Sequence, residues 1–347
     1  MNHDPLRILY IGGFGRSGST LLERTLSRVD GFCAVGEVRH IWDRSFAGNQ
    51  LCGCGQAFRD CAFWRAVAQT AFGGFDQIDA ERMVSLKGLV DRTRFIPSAL
   101  MQWPAAYHER FSEYAAILNR LYRAIREVSG CRVLIDSSKE PSYAFVLRAL
   151  PGVELSVVHL IRDSRAVAFS WLKKKQRPEV HWKHELMARY SPLSSAMHWL
   201  TFNGLMHTGR AIAARYLRVH YEDFARAPAE VVQRILSWSG EASAMPAGIH
   251  GQTLTVGIDH TASGNPMRFE RDAVTIKPDE EWRTRMAPRD RRLVTLGTLP
   301  LLLAYGYLRP RDGMVWPRSK PALVIPAKAG IHADGPATTS DDLAMHL

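Results

Sequence analysis

The sequence predicts an α/β fold, a doubly wound parallel sheet flanked by helices, with a helical insertion over about residues 70–130 that caps a substrate. Three observations carry this. The stretch Arg7 to Val29 reads as an apolar strand, a glycine-rich loop and an amphipathic helix. Apolar strand-like runs then alternate with helical patterns, the signature of parallel strands joined by crossover helices. Polar and charged clusters fall at the ends of three of those strands, where a doubly wound sheet places its ligands.

Taken in order, RILYI (Arg7 to Ile11) is the first strand. The loop that follows carries Gly12, Gly13, Gly15 and Gly18, and Leu22, Leu26 and Val29 then fall on one helix face. Glycines let backbone N–H groups turn toward an anion, and the helix N-terminus adds a favourable dipole. The loop nearly matches the phosphate-binding loop of nucleotide hydrolases. Gly13 and Gly18 have the four-residue gap and Thr20 holds the last position, but Ser19 stands where that motif has lysine. Arg16 supplies a cation earlier. The loop, Gly13 to Thr20 with Arg16, Ser17 and Ser19, is therefore expected to hold a short dianionic group rather than a magnesium triphosphate.

Gly31 to Arg39 reads as a strand or loop returning to the sheet edge, carrying Glu37 and Arg39. Residues 41–75 show no clear periodicity, and 76–106 read as helical pieces broken at Pro97 and Pro104. His108 to Val128 follows the helical period and ends at Gly130. RVLID (Arg132 to Asp136) is a second strand, followed by Ser137, Ser138 and Lys139. A helix starts near Pro141 and ends before Pro151. Val153 to Arg162 is a third strand, and Asp163 or Ser164 can cap the next helix, RAVAFSWLKKK. Tyr216 to Tyr221 is a fourth strand, and Pro228 opens a helix to Trp238. Trp171, Trp199 and Trp238 read as core, and Lys173 to Lys175 as a solvated helix end. Residues 318–347 are rich in Pro, Ala, Gly, Ser and Thr and are expected to be a disordered tail after a domain of 1–317.

The chain has 347 residues, 46% hydrophobic and 23% charged, and a formal net charge of +11. The excess of cations favours anionic ligands, and no nucleic-acid-reading motif accompanies it. MNHDPLRILYIGG leads straight into the first strand, and Leu293 to Leu308 is interrupted by Gly297, Thr298 and Pro300, so a cytoplasmic protein without membrane spans is expected. Five cysteines suit a reducing compartment. Cys52, Cys54 and Cys61 cluster in LCGCGQAFRDCAFW. His40 could complete a metal set on paper, but C-x-C is not the usual zinc spacing, and these read as thiols without metal.

Three motifs in order resemble the sulfotransferases that use 3′-phosphoadenosine 5′-phosphosulfate (PAPS). The glycine loop resembles that family's 5′-phosphosulfate loop. LIRDSRAVAFSW resembles its 3′-phosphate motif, with Arg162 followed eight positions later by Ser170. HTASGNPMRF resembles the late segment that closes over the nucleotide, with Gly264, Asn265 and Arg268. RSGST followed by GEVR is most similar to the tyrosylprotein-sulfotransferase-like branch. Ser164 stands where many members have proline. The resemblance implies a transfer of the sulfuryl group from PAPS to a hydroxyl acceptor (a small molecule, glycan or peptide). It implies Glu37 as the base, Arg16 and Lys139 as charge stabilisers, and no metal. Residues 40–130 and 176–200 are expected to shape the acceptor pocket. A kinase-like nucleotide phosphotransferase and a non-catalytic anion-binding protein are the alternatives.

Overall fold

The computed structural model describes residues 4–93, 96, 105–242 and 247–308. Pro97, Pro104 and the tail 318–347 lie outside these residues. Five parallel strands form the sheet: β1 (Leu6–Gly12), β2 (Phe32–Gly36), β3 (Val133–Lys139), β4 (Val153–Ile161) and β5 (Arg215–His220), in the order β2-β3-β1-β4-β5. β1 is central because its run is apolar on both faces, as a strand covered by helices on two sides must be. Arg7 pairs with Val133 on one side and with Glu154 on the other. From β1 the chain runs to the edge strand β2, returns to β3 and then crosses over β1 to β4 and β5, which leaves a crevice at the C-terminal end of β1 where the winding reverses. The ends of β3, β1 and β4 are the three polar clusters of the sequence, and the pairing makes them neighbours.

Successive side chains point to opposite faces of the sheet. Leu9, Ile11, Ile135, Val158 and Leu160 face helices α1 (Ser19–Leu26) and α8 (Pro228–Ser239), contacting Leu22, Leu26, Val232 and Ile235. Ile8, Tyr10, Leu134, Leu155 and Val157 face the other way. They meet α4 (Ala105–Ser129) through Leu118, Leu121, Tyr122 and Ile125, and α5 (Pro141–Arg148) through Tyr143 and Leu147. The helical insertion exists: α2 (Ala62–Phe72), α3 (Ala80–Val90) and α4 pack on this face. α2 lies in a stretch that reads as aperiodic. It buries Trp64, Val67, Ala68 and Ala71, a helical spacing masked by its small alanines.

Other boundaries also differ from expectation. β3 continues through Ser137, Ser138 and Lys139. Helix α6 (Ser164–Leu172) stops before the lysines, with Asp163 accepting the Arg165 N–H at its start. Residues 192–206 form α7 (Pro192–Met206), and 288–297 form α9 (Pro288–Gly297). A small antiparallel sheet of β6 (Ile249–His250), β7 (Thr253–Thr255) and β8 (Ala273–Thr275) was not anticipated; its strands are too short for a periodic signal. No helix among the described residues is long and apolar enough to cross a membrane.

Glu23 ties this frame together. It is buried in α1, and its carboxyl accepts the Gly36 N–H at 2.7 Å and the Ser137 hydroxyl at 2.6 Å. One side chain thus joins the first helix to the ends of β2 and β3. Burial pushes its carboxyl up to about 8, against the two hydrogen bonds, which favour the ionised form. A folded-state value above the unfolded one means the folded chain holds the proton more tightly. This group's stabilisation is full below the unfolded value and is lost as pH rises through about 8. Glu23→Gln, uncharged throughout, is expected to flatten that decline. Thermal unfolding of both proteins from about pH 5 to about pH 9 checks it; parallel curves would remove Glu23 as the cause.

Candidate active site

A cavity of about 500 Å³ opens at the C-terminal ends of β1, β3 and β4. Gly15, Arg16, Gly18, Ser19 and Thr20 line it from the first loop, with Glu37, Lys139, Arg162, Ser170, Gly264 and Asn265. The structure therefore gathers eleven of the sequence-predicted residues around one space. Gly13, Ser17 and Arg268 are not in the lining.

The loop's conformation follows from its glycines. Gly18 has φ +93°, and a Cβ there would sit 2.5 Å from the Tyr221 ring. Gly13 has φ +132°, and a Cβ there would lie 2.4 Å from the Leu160 carbonyl. Arg16, at φ 68°, takes the same left-handed backbone without being glycine, and so does Lys139 at φ 71°. Such strain costs on the order of 1 kcal/mol or more per residue and persists where surrounding structure holds it. The two strained residues, one in the loop after β1 and one at the end of β3, both line the cavity. No side chain caps the N-terminus of α1, which leaves its first N–H groups facing the cavity.

Arg16 lines the cavity with part of its guanidinium unpaired. Its guanidinium packs 4.9 Å from the Trp171 ring centroid, and one nitrogen meets the Met187 sulfur at 3.2 Å. Its Nε and Nη1 are buried without a hydrogen-bond partner among the described residues, as is the Ser17 hydroxyl. Unpaired buried donors are costly, so a group that accepts from them binds favourably.

Glu37 follows β2, and its N–H donates to the Ser263 carbonyl at 3.0 Å. Its carboxylate forms an ion pair with the Lys139 ammonium, and Arg44 lies 3.9 Å away. Burial raises the Glu37 carboxyl, but Lys139, Arg44 and His40 outweigh it and bring it down to about 2. Glu37 is not paired with Arg39, which instead bonds Asp91 at 2.6 Å. Lys139 also donates to the Ser137 carbonyl at 2.9 Å. Gly264 stands beside this pair, at φ +152°; a Cβ there would be 4.0 Å from Glu37 Oε1 and 3.9 Å from Thr20 Oγ1.

Arg162, at the end of β4, donates to the Arg16 carbonyl at 2.9 Å and to Asp279 at 2.8 Å, and covers the Tyr221 ring at 4.6 Å. Ser170, about two turns along α6, lines the same cavity.

Several lining residues were missed or misread in the sequence. Trp171 is half-buried at the cavity wall rather than in the core, within 5.8 Å of Phe14 and 4.5 Å of Tyr190 by ring centroids. Lys175 lies past the end of α6 and, though exposed, lines the open cavity; partial desolvation lowers its pKa, with Arg16 adding to the shift. Arg44, Glu140, Arg177, Glu179 and Asp279 add to the charged lining, His40 and His198 also line the cavity, and none of these carried a motif. Within the insertion, none of the described residues lines the cavity; His40 and Arg44 precede it, and 176–200 contributes Arg177, Glu179, Met187, Ala188, Tyr190 and His198.

Arg268 departs most from expectation. It is buried, and its guanidinium donates to the Thr261 carbonyl at 2.8 Å and the Leu51 carbonyl at 2.7 Å, holding two loops together. Arg268→Ala strips the Leu51 carbonyl of the guanidinium and leaves the Thr261 carbonyl with the Gly53 N–H alone, and is expected to cost about 2 kcal/mol of stability. Denaturant unfolding checks this; an unchanged midpoint would return Arg268 to a purely ligand-binding role.

The family model described as "Sulfotransferase family" matches residues 9–243. A search of curated proteins gave no match. The chain is similar to the solved sulfotransferase domain from the curacin biosynthetic pathway, at 14% identity and a TM-score of 0.46, covering 84% of this chain and 96% of that one. It is also similar to a sulfotransferase from Alicyclobacillus acidocaldarius, at 15% identity and a TM-score of 0.34, covering 88% of this chain and 96% of the other. The family match spans the first loop, Glu37, Lys139, Arg162 and Ser170, and the chain belongs to the sulfotransferase family.

Proposed function

We propose that this sulfotransferase takes its sulfuryl group from PAPS and delivers it by in-line transfer to a hydroxyl acceptor. The observation that carries the reading is the buried, unpartnered edge of the Arg16 guanidinium, facing the same cavity as the uncapped start of α1. That is a receptor for one compact anion. Arg162 with Ser170 offers a second at the other strand end, and PAPS carries phosphate at both ends of a nucleoside. Asp279 holds Arg162 in place until an incoming phosphate exchanges with it. Ser19, where nucleotide hydrolases have lysine, disfavours the kinase alternative. The catalytic unit in this reading is residues 1–317, with the tail outside it.

PAPS supplies an activated sulfuryl group whose transfer resembles phosphoryl transfer, dominated by positioning and charge. Gly15 to Thr20 and Arg16 bind and orient the 5′ end. Lys139 leaves Glu37 for the sulfuryl and phosphate oxygens, which stabilises the charge that develops there. Glu37 loses its closest cation in the same event and becomes a stronger base. The acceptor oxygen forms its bond to sulfur as sulfur parts from the 5′-phosphate oxygen. The electron pair leaves with the phosphate, and the acceptor proton goes to Glu37.

Glu37→Gln is expected to lower single-turnover transfer from labelled PAPS by roughly 10²–10⁴ while nucleotide affinity stays within a few-fold. Arg162→Ala is expected to weaken nucleotide binding by ~2 kcal/mol, the scale of a lost charged hydrogen-bond pair. Near-wild-type transfer by a folded Glu37→Gln protein would dismiss Glu37 as the base. Unchanged affinity in Arg162→Ala would dismiss the second anion position.

A further inference from the structure

The cysteine cluster of the sequence finds a fourth member in the fold, and it is not His40. His40 Nδ1 faces Asp43 at 3.6 Å. His260 takes the place instead, with Nδ1 3.2 Å from Cys61 Sγ and 3.9 Å from Cys52 Sγ, and Cys54 Sγ lies 3.7 Å from Cys61 Sγ. All four ligand atoms lie within 4.8 Å of one another. A tetrahedral zinc ion with ordinary bond lengths separates thiolates by about 3.8 Å, and thiolate from imidazole nitrogen by about 3.6 Å. A disulfide needs sulfurs at about 2 Å, and all three cysteines are free thiols.

The surroundings are shaped to hold these atoms. Gly53 sits so close to the His260 segment that a Cβ would lie 2.4 Å from Thr261 Oγ1 and 2.6 Å from the Asp259 carbonyl. Gly55 turns the chain at φ +90°. Gly53 N–H donates to the Thr261 carbonyl at 2.9 Å, and Trp64 Nε1 donates to the His260 carbonyl at 2.8 Å. The His260 ring stacks on Phe63, with centroids 5.0 Å apart and planes 18° from parallel, which presets the imidazole. Three thiolates and one divalent ion leave one negative charge. Arg268 and Arg271, bonded to the Leu51 and Gly53 carbonyls, supply compensating cations nearby.

We infer that Cys52, Cys54, Cys61 and His260 form a structural zinc site. Three sulfurs and one imidazole nitrogen in this arrangement select zinc among common metals. Four protein ligands leave no open position for chemistry, so the ion clamps rather than catalyses. It joins the loop 51–64 to the segment 259–268. That segment reaches the cavity through Gly264 and Asn265, and its Ser263 carbonyl receives the Glu37 N–H. The site stands whichever donor the enzyme uses.

The test uses the full chain, purified under reducing conditions without chelator. Elemental analysis is expected to give about one zinc per chain. After the zinc is stripped, cobalt(II) should restore one equivalent with the intense visible absorption of tetrahedral thiolate ligation. Stripping should lower the thermal midpoint, and added zinc should restore it. Cys61→Ala should lose the metal, His260→Cys should keep it as a four-thiolate site, and Cys131→Ala should leave it unchanged. A folded, fully reduced wild-type chain that takes up neither zinc nor cobalt overturns the inference, even if every variant fails to fold. So does a native disulfide among the three cysteines, or full metal content in Cys61→Ala.

Discussion

The glycine loop after β1 is held from both sides by the strands that flank it. Gly13 N–H donates to the carbonyl of Lys139, the last residue of β3, at 3.2 Å. Arg162, just past the end of β4, donates to the carbonyl of Arg16 at 2.9 Å. The loop is therefore a bridge between two strand ends, and its backbone cannot relax from the left-handed turn at Arg16 without breaking one of them. Both flanking residues also line the cavity, so the groups that set the loop's shape border the same space as the loop.

Paired charges keep this edge ordered. Lys139 rests on Glu37, and Arg162 on Asp279. Each carboxylate holds a cation in a fixed place at modest cost, because partly buried ions are stable only when matched. In the proposed mechanism an anionic ligand offers the cations stronger partners than a single carboxylate does, and the carboxylates are then released. For Asp279 the release has no chemical consequence. For Glu37 it removes the main influence that holds its carboxyl low, and a carboxylate free of its lysine is a better proton acceptor.

Much of this was legible before the fold was known. The strand, glycine loop and helix at 7–29 have strong local signals, because the loop needs glycine wherever φ is positive or the backbone passes close to a neighbour. The Arg162–Ser170 spacing survives because both lie on one strand–helix unit. What escaped depends on contacts between distant segments. Arg268 looked like a ligand residue by position and proved to be a buried tie between carbonyls of residues 51 and 261. Trp171 looked like core because its helix is apolar, yet it is half-buried in the cavity wall. His260 and the cysteines are some 200 positions apart (199 between Cys61 and His260), beyond the reach of a spacing rule. Helix α2 was hidden by alanines, whose small side chains bury well but give little periodic contrast.

The central claim is that two anion positions lie along one crevice, a nucleoside apart. Titration calorimetry compares 3′-phosphoadenosine 5′-phosphate with adenosine 5′-phosphate on the same protein. The account predicts micromolar binding of the first, about −8 kcal/mol, and an affinity lower by roughly 30-fold or more for the second, which lacks the group meant for Arg162 and Ser170. Equal affinities would contradict it.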